Sequence, residues 1–402
     1  MSTLFLCTTP FQLLTTLSIC KQHDFPDSRL ILANGIEKIP GWIPFLIECK
    51  LFSSITAFPD KLPYHKRRHF LKIKEELEPP SFLERIVGFI SPSIIIRKWL
   101  INIHDIHGNT NIHPEEVDNI FISSPMGSLW KFADFIKSQN SECKLFGFDE
   151  GLGSYLSSTF SGRKLAGIHL FQPGLSKSRL RTHKIEPLNR TEMNSLWCLA
   201  RKYFPSLDAP SGNLFFDQWV GMPWINNQYE NSNWKKTSYI RLKTAILKNL
   251  KRSSEEMGQK LHYIPHPLQD SSATNYFRDM GLSLPSLGTG IPFELVLLCK
   301  KEHRPEGIWF SIFSSASVMP LLAFDSDNHH TSILLYRLFE HEKELSSFLQ
   351  NKELLHLLNE IAEAFPDRLA APETLVELKS VLKSRQHTRN ASDPPKTRAH
   401  LG

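Results

Sequence analysis

The chain has few cysteines, six in 402 residues, and none forms a CxxC pair. Cys7, Cys20, Cys49, Cys143, Cys198 and Cys299 are scattered, mostly in apolar contexts. A disulfide framework of the small secreted kind is excluded, and the thiols read as reduced core residues of an intracellular protein. Long hydrophobic runs are also missing. The longest apolar stretch, Ile86 to Ile96, is too short to span a bilayer and contains Pro92. The opening "MSTLFLCTTPFQLLTTLSICK" has no basic residue before Lys21, and Pro10 and Gln12 interrupt its apolar part. That pattern argues against a secretory signal. No internal repeat is visible.

What the chain does contain is ordinary for a soluble globular protein: 41% hydrophobic and 22% charged residues. Its net charge of +6 suits an anionic substrate or an anionic membrane face. At this length two domains are expected. The apolar runs Thr3–Cys7, Arg29–Asn34, Val117–Ser124 and Lys144–Phe148 read as buried strands. A helix begins after the first, with Thr9 as cap and Pro10 at the first helical position. Continuous apolar strands alternating with helices imply parallel sheets covered on both faces.

A second α/β block starts near residue 190. "KLHYIPHP" contains a strand, "GIPFELVLLCK" a helix, and "GIWFSIFSSASVMPLLAF" a strand, serine turn and helix. "TSILLYRLF" reads as a further strand. "NKELLHLLNEIAEAF" reads as an amphipathic helix with Leu354, Leu355, Leu357 and Leu358 inward. The expected architecture is α/β, with two Rossmann-like domains (1–185 on the acceptor side, 190–383 on the nucleotide-donor side) facing a cleft. A polar tail, 384–402, is expected to be disordered.

Four features stand at predicted strand ends or on the helix that follows one: Asp149-Glu150-Gly151, His266-Pro267, Glu294 and Ser314-Ser315. In open α/β sheets those ends face the ligand crevice. Each also has a plain structural explanation. Acid–glycine pairs make turns, His-Pro sits in surface turns, a serine pair caps a helix, and a first-turn acid complements the helix dipole.

In order and spacing the set resembles bacterial sialyltransferases, particularly the lipooligosaccharide sialyltransferases of glycosyltransferase family 52. Those enzymes share a D/E-D/E-G motif, an H-P motif and a later S-S/T motif. This chain shows "DEG" at Asp149–Gly151, "HP" at His266-Pro267 and "SS" at Ser314-Ser315. The opening "LCTTPFQLL" and the stretch "GTGIPFE", which holds Gly290 and Glu294, are similar to the family as well. The resemblance spans residues 1 to about 330. It implies a GT-B fold and transfer of sialic acid, or a related nonulosonic acid, from a CMP donor to a surface glycan; the alternatives are the same fold with another nucleotide sugar such as a UDP-hexose, and a non-catalytic glycan- or partner-binding protein. It also implies a homodimer and a place in the bacterial cytoplasm; a peripheral seat on the inner membrane is an expectation from the basic segment 65–74 alone.

Such a transfer passes through an oxocarbenium-like state, and the attacking acceptor hydroxyl needs a carboxylate base. Asp149 is the preferred base, with Glu150 positioning it or the acceptor. Gly151 and Gly153 let a sugar approach. His266 supplies a proton or charge to the departing phosphate, and Pro267 stiffens its turn. Ser314 and Ser315 offer hydroxyls and helix-terminal N–H groups as a phosphate seat. By the resemblance, Glu294 binds the ribose hydroxyls.

One departure concerns the region before His-Pro, from which some family members draw their base. Here "NLFFDQWVGMPWINNQYE" replaces the family's "GQPL" and following acids. Its early acid, Asp217, is the alternative base, and Trp219 and Trp224 are sugar-stacking candidates or core residues.

No metal cofactor is expected, since a CMP donor carries one phosphate. "DSDNHH" (325–330) has D-x-D spacing but comes late in a polar turn. His104 and His107 lack a completing Cys/His pattern. "HKRRHFLKIK" (65–74) suits an anionic membrane leaflet or a solvated helix face equally. Nothing around it resembles a nucleic-acid fold.

Overall fold

β1 (Ser2–Cys7) is buried at all six positions, which is possible only where a sheet is covered on both faces. The computed structural model describes residues 1–33, 36–57, 104–108, 112–123, 128–176, 179–204, 210, 212–217, 237–266, 271–284, 293–299, 307–323, 330–342 and 350–392. The chain forms two compact units. The first is Met1–Leu207 with Leu287–Lys301 and Met319–Ser326; the second is Asp208–Ser286, Glu302–Val318 and Asp327–Gly402. Each unit therefore draws on several chain segments rather than one continuous block.

In the first unit β1 is joined by β2 (Asp27–Leu32), β3 (Ser54–Ala57), β4 (His104–His107), β5 (Val117–Ile122), β6 (Lys144–Phe148), β7 (Gly167–Leu170) and β8 (Ile185–Pro187). Their order is β4-β3-β2-β1-β5-β6-β7-β8. Every neighbouring pair is parallel except the edge pair β3–β4. The order reverses between β1 and β5, the switch point at which doubly wound sheets open a ligand crevice.

Side-chain alternation sorts the core of this sheet. Leu4, Leu6, Ile120 and Ile122 share one hydrophobic cluster with Trp130, Phe132 and Ile136 of the helix Ser128–Gln139. On the other face the register aligns Phe5 with Phe121 and Phe121 with Phe146. Their rings stack at 4.8 Å in both steps. Burying each such ring contributes about 1.5–3 kcal/mol.

Helix α1 (Pro10–Gln22) begins as its sequence predicts. Thr9 accepts from the Gln12 N–H, and Gln12 closes a reciprocal capping box.

The second unit holds β9 (Asn213–Phe216), β10 (Leu261–Ile264), β11 (Ile308–Ser311), β12 (Thr331–Leu334) and β13 (Leu369–Ala370). They run β10-β9-β11-β12-β13, all parallel. Relative to chain order this is the flavodoxin-like 2-1-3-4-5 arrangement, with its switch point between β9 and β11. The two strands enter side by side. A Cβ on Gly307 would lie 2.2 Å from the Gly212 carbonyl oxygen, so glycine alone fits there. Asn213 ties the entry together: its Oδ1 accepts from the Ile308 N–H and its Nδ2 donates to Ser254, both at 2.9 Å.

Several expectations need correction. The strand in "TSILLYRLF" stops at Leu334. Leu335 leaves the extended region (φ −101°, ψ 5°), and Tyr336–Phe339 forms a 3-10 turn. In the helix Lys352–Ala364, Leu354, Leu357, Leu358 and Ile361 face inward, whereas Leu355 is half-buried on the shoulder. The tail is helical further than composition suggested. Leu375–Ser392 is one helix, with no proline until Pro394. No described helix is long and apolar enough to cross a membrane.

Candidate functional site

Asp149 and Glu150 follow β6 directly, at the C-terminal edge of the first sheet. Asp149 is fully buried. Its Oδ1 accepts from the Gly151 N–H at 2.9 Å, while Oδ2 accepts from the Tyr155 hydroxyl at 2.5 Å and the Phe171 N–H at 3.3 Å. Burial pushes its carboxyl up to about 7, although these three donors and a repelling Glu150 also act on it. All three donors are neutral, so none pins the charge as a cation would. Gly151 has φ 129°, a conformation that glycine adopts without strain, and this turns the chain sharply after the acids. Gly153 opens onto free space, with nothing within 4 Å of where a Cβ would stand.

Glu150 is half-buried and points to the switch point. Its Oε2 accepts from Gln12 Nε2 at 2.7 Å and from the Ser123 hydroxyl at 3.1 Å. Its own N–H donates to Ser154 Oγ at 2.8 Å. Gln12 is fixed in turn, because its Oε1 accepts from the Thr8 N–H (2.6 Å) and hydroxyl (3.0 Å). The first turn of α1 and the chain ends after β5 and β6 thus meet on one carboxylate. Reading the sequence found the two acids but missed Gln12, Ser123 and Tyr155 as their partners. Tyr155 was within reach as the last residue of "DEGLGSY". Gln12 and Ser123 carry no local signal for a contact so distant in sequence.

Glu294 lies on the helix Phe293–Cys299, which is part of the first unit and packs on the helix Trp197–Tyr203 and on α1. It is buried, and burial pushes its carboxyl up to about 7, eased by its own backbone N–H.

In the second unit three features gather at the C-terminal edge of one parallel sheet. Asp217 follows β9, His266 lies two residues past β10, and Ser314-Ser315 follow β11. Ser315 opens the helix Ser315–Ala323. The Ser314 N–H donates to Ser311 Oγ at 3.2 Å, and the Ser314 carbonyl accepts from Ser317. Burial holds the His266 imidazole below its usual range, with Asp217 pulling the other way. It is therefore neutral at neutral pH and offers a ring N–H rather than a resident charge.

Asp217 is buried and receives both the Lys243 ammonium and the Tyr263 hydroxyl. Lys243 in turn sits over the Phe277 ring at 4.5 Å. Pro267, Gly290, Trp219, Trp224 and residues 65–74 and 325–329 lie outside the described residues.

Among described residues Cys7, Cys20, Cys49 and Cys143 are free thiols. No protein-family model matches this chain, and no curated protein matches it.

Proposed function

We propose that the chain is an inverting, metal-independent glycosyltransferase of the GT-B type. It moves sialic acid or a related nonulosonic acid from a CMP donor to a terminal sugar of a surface glycan such as lipooligosaccharide. The observation that carries this reading is Asp149, a buried carboxyl at a strand end with neutral partners and a pKa near 7. That value suits a general base working at neutral pH. In the proposed step the acceptor hydroxyl attacks the anomeric carbon and gives its proton to Asp149. The bond from that carbon to the phosphate oxygen breaks, and CMP leaves with the electron pair from the opposite face.

Glu150, held by Gln12 and Ser123, orients the acceptor. Ser314, Ser315 and neutral His266 receive the CMP phosphate by hydrogen bonding. One well-placed donor in such a site contributes roughly 3 kcal/mol. Glu294 takes the ribose diol. Asp149 is favoured over Asp217 as base because Asp217 is neutralised by the Lys243 ammonium. The setting would be the bacterial cytoplasm, peripheral to the inner membrane, with the enzyme as a homodimer.

The test is transfer from CMP-sialic acid to desialylated lipooligosaccharide. Asp149→Asn is expected to abolish transfer while CMP binding persists. Undiminished turnover in that variant would overturn the assignment of the base.

A further inference from the structure

On the aromatic face of the first sheet, Phe5, Phe121 and Phe146 run toward His169 of β7. The His169 ring lies 5.3 Å from Phe121 and 5.9 Å from Phe146. His169 is 2% exposed, yet among the described residues neither of its ring nitrogens has a hydrogen-bond partner. Leaving a buried polar atom unsatisfied costs about 1–3 kcal/mol, so a partner is expected. No described protein group supplies one.

Two other ligand-type side chains converge on the same place. His23 follows the C-terminus of α1 and meets His169 edge to face, with ring centroids 5.5 Å apart. Its Nε2 is likewise buried and without a partner among the described residues. Glu186 stands on β8 in register with His169. One donor atom from each of the three lies within 4.8 Å of the others.

We propose that His23, His169 and Glu186 form a binding site for one Zn²⁺ ion that fastens α1 to the β7–β8 edge of the sheet. Two imidazoles and a carboxylate with one open position are a common zinc donor set. Ligand atoms on a tetrahedral zinc stand about 3.3 Å apart, given bonds of about 2.0–2.1 Å. Closing that gap requires rotations of the His23 and Glu186 side chains, both half-buried. The flanking phenylalanines crowd one side, which favours four ligands over the six of an octahedral centre. Lys184 pairs with Glu186 Oε1 at 2.9 Å, so its ammonium competes with the ion for that oxygen.

The site is linked to Asp149 through the backbone, since the Asp149 N–H donates to the His169 carbonyl at 2.9 Å. Its role is to hold the sheet and α1, whose first turn carries Gln12. The proposal is independent of the transfer reaction, which needs no metal.

The experiment uses the full chain stripped with a chelator. Zn²⁺ is titrated in competition with a chromophoric chelator, and Co²⁺ is added separately to read tetrahedral absorption bands. One equivalent is expected, with a rise in Tm. Glu186→Gln and His23→Gln, both at half-buried positions, should weaken Zn²⁺ by more than the 10–100-fold that losing an outer-shell partner costs. Lys184→Met should tighten it. If the wild-type chain takes up no Zn²⁺, or the variants bind it unchanged, the site is not there and the proposal fails.

Discussion

Gln12 and Glu150 stand 138 residues apart in the chain and meet at 2.7 Å, amide nitrogen to carboxylate oxygen. The same amide side chain, through its oxygen, is locked by Thr8 and closes the cap of α1. One residue therefore both starts a helix and aims an acid at the switch point of the sheet.

Replacing Gln12 separates those two duties. Gln12→Ala should cost about 1 kcal/mol of stability, the usual size of a lost cap. Transfer should fall further than that, by about tenfold or more in kcat, as Glu150 loses its fixed orientation. Steady-state kinetics beside a denaturant titration checks both. Equal, small effects on stability and kcat would remove Gln12 as the residue that positions Glu150.

The two buried acids set a pH dependence. Asp149 and Glu294 titrate near 7 in the folded chain, against ordinary values of 3.8 and 4.5. Between those limits the folded state holds more protons than the unfolded one. Their contribution to stability thus falls as pH rises from about 4 to 7, and stays lost above. Asp149→Asn and Glu294→Gln should each flatten the curve of Tm against pH over that window. Transfer by the wild-type enzyme should rise with pH through an apparent pKa near 7 as the base ionises.

Lys243 and Asp217 are predicted to be structural. Removing one partner of a buried pair leaves an uncompensated charge and costs about 3–5 kcal/mol. Lys243→Ala should therefore unfold the second unit at markedly lower denaturant, whereas Lys243→Met with Asp217→Leu should recover much of the loss. If the single variant proves as stable as wild type, the pair does not hold the unit together.

Chelation distinguishes the reaction from the zinc site. EDTA should lower Tm while transfer, assayed below the unfolding range, continues at its full rate. Loss of transfer at a temperature where the chain stays folded would contradict a metal-independent reaction.

How far these features were legible in the sequence follows from their range. β1, β6 and the start of α1 were readable because a buried strand is an apolar run and a cap is a local pattern. Thr9, Pro10 and Gln12 lie within four consecutive positions. The motif acids were readable as a break in such a run. β9 gives little signal in the sequence because "NLFF" is only four residues long and ends at an acid. β7 and β8 are as short, so the pairing of His169 with Glu186 was hidden. The Lys243–Asp217 pair joins a helix to a strand end 26 residues earlier, and no sequence period announces it.

The central claim is a CMP-activated donor, and titration calorimetry of the purified chain against CMP, CMP-sialic acid, CDP, UDP and UDP-glucose tests it most directly. Selective binding of CMP and CMP-sialic acid, weakened by His266→Ala, is the predicted result. Preference for UDP or UDP-glucose would contradict the named donor, and binding of none of the five would contradict a nucleotide-sugar enzyme.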